Sequence, residues 1–504
     1  MDRLTGNSER SDLTLQPTAV PAASQPGLGL RVFQNTAAVL GGRVLALFFS
    51  AGTSILLARF LGRERLGQYG AIYAYLSLYG FFATFCLEQI LVRETTLRRH
   101  QAAEILHTGT LAVLGFSLTG AILAPLLAPL FGYSSPSRWL IIIAAVDMLI
   151  LPPIRFRGII FQVEMRFWYI VAIGLFRQAL WLLAVLFLAL KNAAFYEVIL
   201  ARTLCGVAEA VAVLWTVHRL GLIHGPRRFL SSEAHRMLRA GLPLVLANLA
   251  GGIYHRIDQV MLHKMSGDQV LGPYVIAVQL TELFSVLPVA LMGSLFPALS
   301  QSAGDPQRFD RYLRESYRFL LVLVFAACAV ITPIAAPFIE LFYGRQFLTT
   351  APLLIVLIWS EVPIFFGVTL GSAMIAKGLQ RYTPYGAIAG AFVNILLNLV
   401  LIPRFGALGA SWATVISYTV AGIFFLVLFP EIRPLVAVGL RAAIWPLALA
   451  LAITFSIGLL HVSFEWKFLL ASLAYALGAL LTGAIELADL IRLREMFRRG
   501  PVNV

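Results

Sequence analysis

One stretch of otherwise apolar sequence carries His255, Arg256, Asp258, Gln259 and His263 within nine residues. At helical spacing these side chains fall in a sector of about 160°, and Ile253, Tyr254, Ile257, Val260 and Met261 fill the rest. Charged groups at bilayer depth cost about 2.5–3.5 kcal/mol apiece on insertion scales. Such a helix therefore either walls a hydrated cavity or locks to a neighbour through a buried ion pair. An earlier stretch repeats the logic with less polarity, placing Thr36, Arg43, Ser50 and Ser54 on one stripe. An arginine stays charged and forks onto phosphate oxygens bidentately, so these positions suit an anionic phosphate. The rival reading for Arg43 is an ion pair with Glu88 or Asp147. Arg202 and Glu209 share a face at i, i+7, and Arg177 lies mid-helix; these lean toward interhelical pairing over substrate contact. Glu282 and Glu361 are candidate cavity or gate carboxylates, and proton coupling would fall to them. Asn394 and Asn398 at i, i+4, with Thr414 and Asp258, supply four oxygen ligands and one negative charge. That set suits a hard monovalent cation such as sodium. The alternative is amide glue between helices.

The background to these groups is a chain of 504 residues, 59% hydrophobic and 13% charged. Globular chains run at about 45–50% apolar and about 25% charged. With a mean hydropathy of +0.83, the composition excludes a soluble enzyme, a disordered chain and a secreted disulfide scaffold. Cys86, Cys205 and Cys328 sit in apolar stretches without CxxC spacing and read as small core hydrophobes. No GxxxxGK[ST] phosphate loop is present. The net charge of +14 would suggest nucleic acid in a soluble domain. Here it follows more simply from basic residues gathering in loops on one side of a membrane, so no nucleic-acid partner is expected.

The expected fold is an all-α polytopic membrane protein. Fourteen spans are expected near 34–58, 67–92, 106–130, 138–161, 168–190, 196–218, 241–263, 270–299, 317–342, 350–376, 383–402, 407–429, 438–460 and 466–487. The fourth and eighth are interrupted by Pro152–Pro153 and by Pro288 and Pro297. Residues 1–31 read as a flexible polar tail with no signal-peptide pattern. The bias of Arg and Lys places both termini in the cytoplasm, with Arg59, Arg63 and Arg65 as the exception. Residues 32–220 form a first lobe, and 221–240 an amphipathic cytoplasmic linker. Residues 241–430 form a second lobe, 431–487 two further helices, and 488–504 a basic tail. The halves repeat at an offset of 205: Leu57, Gly62, Leu66, Gly67 and Tyr69 recur as Leu262, Gly267, Leu271, Gly272 and Tyr274, and Arg59 as Lys264. Six spans separate the copies, so both lobes point the same way, a transporter arrangement with the path between lobes.

Asn35, the run from Leu57 to Gly62, and Leu66-Gly67-Gln68-Tyr69 resemble the opening of bacterial polysaccharide and O-antigen flippases. These belong to the multidrug/oligosaccharidyl-lipid/polysaccharide exporter superfamily. Gly241-Leu242-Pro243-Leu244, the run from Tyr254 to Asp258, Leu271-Gly272-Pro273-Tyr274 and Glu282 resemble that family's seventh and eighth helices. Asn394, Asn398 and the run from Gly406 to Ala410 resemble its eleventh and twelfth. The resemblance covers residues 32–430. It implies two six-helix lobes that move undecaprenyl-pyrophosphate-linked oligosaccharide from the inner to the outer leaflet of the bacterial cytoplasmic membrane by alternating access. The product would be O-antigen, capsule or exopolysaccharide, made alongside glycosyltransferases and a polymerase. Arg43 and Arg256 would hold the pyrophosphate, one from each lobe, with His255, Gln259, Arg177, Arg202, Glu88 and Glu282 around the cavity. Asp258, Asn394, Asn398 and Thr414 would form the sodium site, with two amides on the eleventh helix instead of a carboxylate. No enzymatic activity is expected. The rivals are a multidrug exporter of the same superfamily, disfavoured by the intramembrane arginines, and a membrane glycosyltransferase or polymerase. The latter needs a large extramembrane loop and a positioned base or metal, which this chain does not offer.

Overall fold

The computed structural model describes residues 28–80, 84–85, 87–226, 228–460 and 462–481. Among them there are helices and connections but no strand. This follows from the solvent: in a bilayer the backbone must satisfy its own hydrogen bonds, and a helix does so within one segment.

The helices are α1 (Leu28–Ser77), α2 (Glu88–Leu97), α3 (Ala102–Leu127), α4 (Ser135–Gly158), α5 (Ile160–Val163), α6 (Phe167–Leu190) and α7 (Phe195–Arg219) in the first lobe. They continue as α8 (Ser231–Ser266), α9 (Asp268–Gln301), α10 (Pro306–Tyr343), α11 (Thr350–Ile358), α12 (Glu361–Ala376), α13 (Thr383–Thr419), α14 (Arg433–Gly458) and α15 (Phe464–Leu481). Eleven helical runs among the described residues are long and apolar enough to cross a membrane. Two of these runs take in two expected spans, because α1 breaks at Gly62 and α13 at Gly406, both with positive φ; the span expected over 67–92 is helical in α1 only as far as Ser77, and α2 begins at Glu88. The helix α8 holds the span expected over 241–263.

Residues 231–240, where the linker is expected, are helical and run without a break into that span. Pro152, Pro153, Pro288 and Pro297 do not end α4 or α9, which continue through them. Membrane helices tolerate proline because neighbours re-satisfy the freed carbonyls. At the start of α10 the Asp305 carboxylate accepts from the Gln307 and Arg308 amides at 3.0 and 3.1 Å, with Pro306 in the first turn.

The repeat is visible in the backbone. Gly62 has φ 70° and ψ −178°, and its mate Gly267 has φ 81° and ψ 171°, a region open in practice only to glycine. Five residues on, a Cβ at Gly67 would overlap the Asp268 carbonyl, and one at Gly272 would overlap the Arg63 carbonyl. Arg63 and Asp268 are themselves 205 apart. The two lobes thus touch through the same pair of positions read in both directions, as a pseudo-twofold axis requires.

Around that axis lies an apolar core contributed by both lobes, including Leu57, Tyr75, Leu262, Tyr274 and Tyr343. A second core joins α10 and α12 to α14 and α15, so the last two helices extend the second lobe. A third lies in the first lobe between α2, α3, α5 and α7. Apolar side chains such as Leu111, Leu114, Leu118 and Ile122 face outward along α3, the stripe a helix presents to lipid.

Candidate functional site

Between the lobes lies a cavity of about 370 Å³. From α1 it receives Leu47, Ser50, Ser54 and Leu57, and from α9 Gln279, Glu282, Leu283 and Val286. Both sets recur every three or four residues, so each helix offers one face. The first lobe adds Arg177, Gln178 and Trp181 from α6 and Arg202 and Cys205 from α7. Ser54 joins the lobes by donating to Gln279 Oε1 at 2.7 Å, and lies 3.3 Å from the Tyr343 hydroxyl.

The cations of this region differ in how they are neutralised. Arg177 Nε lies 3.2 Å from Glu209 Oε2, and its Nη2 lies 3.9 Å from Asp147 Oδ2. Glu209, 7% exposed, is shared with Arg155 at 2.7 Å. Arg256 on α8 pairs with Glu282 on α9 at 3.0 Å. Arg202 has no carboxylate partner among the described residues. Its guanidinium carbon lies 3.9 Å from the ring centre of Tyr73, 5.3 Å from Tyr69 and 5.9 Å from Trp181. It donates to the Tyr69 hydroxyl, while its buried Nε has no hydrogen-bond partner. Aromatic faces stabilise a cation without cancelling its charge. Arg43 is exposed, one to three turns along α1 from Leu47, Ser50 and Ser54. It shares the helix face of the two serines but is not among the residues that line the cavity.

Other expected cavity residues lie elsewhere. Glu88 opens α2 and accepts from Gln162 Nε2 at 3.1 Å. Asp147 likewise serves Arg177, so neither carboxylate proposed as a partner for Arg43 meets it. His255 Nδ1 lies 2.8 Å from the Tyr418 hydroxyl on α13. Gln259 is buried, and its backbone amide donates to Asp258 Oδ1 at 2.7 Å. Glu361 is buried in the second lobe and accepts from the Ser285 hydroxyl at 2.9 Å on both oxygens.

The second constellation assembles in two parts. Asp258 is buried and accepts from the Tyr274 hydroxyl, with Thr414 Oγ1 at 3.5 Å. Asn398 Nδ2 donates to Asn394 Oδ1 at 2.9 Å, and Asn394 Nδ2 to Ser417 Oγ at 3.0 Å. The Asn398 carbonyl oxygen is buried without a donor. Oxygen ligands of this kind suit a hard monovalent cation, and the orphaned Asn398 oxygen is the acceptor such an ion would meet. Helical spacing alone does not bring Ser417 and Tyr274 into this cluster, although the repeat pairs Tyr274 with Tyr69. Those two tyrosines serve opposite charges, Tyr69 the guanidinium of Arg202 and Tyr274 the carboxylate of Asp258.

Sequence reasoning also missed a pair of contacts at the end of the molecule nearest Gly62 and Gly267. Arg59 donates from Nε and Nη2 to the Phe342 and Leu341 carbonyls at 2.7 Å each. Lys264 donates to the Leu130 carbonyl at 2.9 Å. The signal was present, since Arg59 and Lys264 are repeat mates, but their partners are not in the motif. At the opposite end Arg98 and Arg236 hold Glu94 and Glu233 in a four-membered ionic cluster, with contacts from 2.5 to 3.0 Å, tying α2 to the start of α8.

Residues 56–352 match the model of a family described as "Polysaccharide biosynthesis protein". The probable low-salt glycan biosynthesis flippase Agl15 of Haloferax volcanii is 23% identical over 178 residues, which is 35% of this chain and 38% of that protein. The succinoglycan biosynthesis transport protein ExoT of Rhizobium meliloti is 24% identical over 414 residues, 77% of this chain and 81% of that protein. The chain spans only 35–42% of the length of Agl15 and two further flippase relatives. Among solved structures, the lipid II flippase MurJ in an inward closed conformation has a TM-score of 0.71, covering 91% of this chain and 100% of that one. At 16% identity, that likeness speaks for the fold.

Proposed function

The chain belongs to the polysaccharide biosynthesis protein family, and on that footing we propose that it is a flippase for undecaprenyl-pyrophosphate-linked oligosaccharide. It carries this lipid from the inner to the outer leaflet of a bacterial cytoplasmic membrane by alternating access, with both termini in the cytoplasm. The product feeds surface polysaccharide synthesis beside glycosyltransferases and a polymerase. The observation that carries this reading is the state of Arg202: a guanidinium on the interlobe cavity, ringed by aromatic side chains and without a carboxylate partner among the described residues. A pyrophosphate diester brings two negative charges into an apolar slab, and charge-assisted hydrogen bonds from arginine offset that cost. Arg43, exposed on the same face of α1 as the cavity serines, receives the anion, and Arg202 holds it. Arg256 joins only by exchanging Glu282 for phosphate. Arg177 remains with Glu209 and keeps the first lobe in register.

The test is leaflet transfer of a fluorescent undecaprenyl-pyrophosphate oligosaccharide in proteoliposomes, beside protein abundance. Arg202→Ala and Arg43→Ala should each abolish transfer with abundance near that of the parent. Arg202→Lys, which keeps charge and loses the planar fork, should retain part of it. Wild-type-like transfer in Arg202→Ala would end the assignment of the phosphate to this residue. Export of an organic cation such as ethidium, with no transfer of the lipid, would favour a multidrug exporter instead.

Sodium is the coupling ion in this reading, held by Asp258, Asn398 and Thr414, with Asn394 and Ser417 fixing Asn398. When bound it would neutralise Asp258 and let the second lobe move without a bare charge. Asn394→Leu combined with Thr414→Val should abolish the sodium dependence of transfer while the protein remains folded. Transfer in the parent that never depends on sodium would leave the asparagines as helix glue.

A further inference from the structure

Away from the interlobe path, a second cavity of about 440 Å³ lies in the first lobe where the start of α3 meets the ends of α4 and α7. His107, Arg157, His218 and His224 line it together with Leu106 and Ile223, and no carboxylate lines it among the described residues. Local structure builds this lining. His107 stands one turn into α3, Arg157 in the last turn of α4, and His218 in the last turn of α7. Gly221, with φ +55°, then turns the chain back, a conformation glycine adopts freely. The turn is closed by the Leu222 amide on the Val217 carbonyl at 3.3 Å. His224 is thereby folded over the same space, with its Cε1 3.5 Å from where a Cβ of Gly221 would stand.

Three observations narrow the occupant. His107 Nδ1 is buried without a hydrogen-bond partner, which costs free energy unless a ligand or water meets it. The imidazoles are not a metal cage, because no three His, Cys, Asp or Glu side chains among the described residues converge on one ion. The level in the membrane is marked by Trp215, exposed on α7 with the Arg219 guanidinium 4.9 Å from its ring centre, and by exposed Trp168 at the start of α6. Indole rings and cations of this kind collect where acyl chains meet headgroups.

We propose that this cavity binds the phosphate of an anionic phospholipid headgroup from the leaflet it faces. The imidazoles and the guanidinium take the phosphate oxygens, and Leu106 and Ile223 meet the glycerol and the first acyl carbons. Basic pockets between helices at this depth are suited to such headgroups. The site is separate from the interlobe cavity, so it stands or falls independently of the cargo proposed above. A free phosphate offers the same oxygens, and the experiment separates the two.

The full chain, purified in detergent, is titrated with dioctanoyl phosphatidic acid, dioctanoyl phosphatidylcholine and inorganic phosphate, following its thermal midpoint and its binding isotherm. Phosphatidic acid should bind saturably and at least about tenfold tighter than phosphatidylcholine, with inorganic phosphate weaker still. His107→Asn and His224→Gln should each weaken phosphatidic acid by about tenfold. His224 lies in a connection outside any helix, so its replacement leaves the helical packing intact, and the unliganded melting curve checks this. Inorganic phosphate binding as tightly as phosphatidic acid would overturn the lipid assignment in favour of a free phosphate. Phosphatidylcholine binding equally well, or unchanged affinity for phosphatidic acid in both variants, would overturn the site.

Discussion

Arg59 and Lys264, 205 residues apart, make the same contact in opposite directions. Arg59 leaves the first lobe to cap the last carbonyls of α10 in the second, at Leu341 and Phe342. Lys264 leaves the second lobe to cap the turn after α3 in the first, at Leu130. A cation at a helix C-terminus meets orphan carbonyls and the negative end of the dipole. The pair therefore latches this face closed from both sides.

Removing the latch should shift the molecule toward opening at that face. The double change Arg59→Ala and Lys264→Ala is expected to remove about 1 kcal/mol, roughly a fivefold change in the ratio of closed to open. Spin labels at Ser135 and Gln269, exposed on opposite lobes, should report a longer distance population, larger in the double variant than in either single one. An unchanged distance distribution would mean that the glycine contact alone closes this face.

Gly67→Ala and Gly272→Ala should each lower the thermal midpoint of the purified protein. The added methyl meets the backbone of the other lobe, and overpacking of this kind costs about 1–3 kcal/mol. Gly293→Ala is the control, since nothing lies within 4 Å of a Cβ there. It should leave the midpoint unchanged or raise it.

The two carboxylates that hold intramembrane arginines should behave differently. Glu209 is 7% exposed and serves both Arg155 and Arg177. Glu209→Gln leaves Arg177 only the 3.9 Å contact with Asp147. The loss approaches that of a broken buried pair, about 3–5 kcal/mol, only in so far as Asp147 does not compensate, and membrane abundance should fall. Glu282, 41% exposed, pairs with Arg256, itself 34% exposed. Glu282→Gln is expected to cost about 1 kcal/mol or less and leave abundance unchanged. Quantitative immunoblots of the two variants separate these outcomes.

The ionic cluster at the other face sets a pH dependence. The hydrogen bond from Arg98 holds the Glu233 carboxyl below its ordinary value of 4.5, and the charges of Arg98 and Arg236 add to this. A carboxyl lowered in the folded state stabilises it above the unfolded value and stops doing so as pH falls through the folded one. Wild type should therefore melt above Glu233→Gln at neutral pH, by an amount equivalent to about 1 kcal/mol. The two curves should converge below pH 4.5. A constant gap down to pH 3 would assign the effect to packing.

Much of this molecule is a local property of its sequence. Apolar runs long enough to cross a bilayer specify helices because no other open segment can satisfy its backbone there. Gly62 and Gly267 announce the breaks that make each lobe, since almost only glycine adopts their backbone, and the repeat of Gly67 and Gly272 announces the axis between the lobes. The ionisable residues of the apolar stretches are also legible, because each stands out against apolar neighbours, whereas His107, Arg157 and His224 carry no such signal. The partners of the legible ones are not. The rival reading for Arg43 is a pair with Glu88 or Asp147, yet Glu88 meets Gln162 and Asp147 meets Arg177. Arg256 meets Glu282, and Arg202 meets aromatic rings. Helical periodicity fixes which face of a helix is polar, but not which other helix that face meets. That choice is made when the lobes pack, through contacts between residues far apart in the chain. The same packing brings His107, Arg157 and the turn that carries His218 and His224 to one cavity from three separate segments.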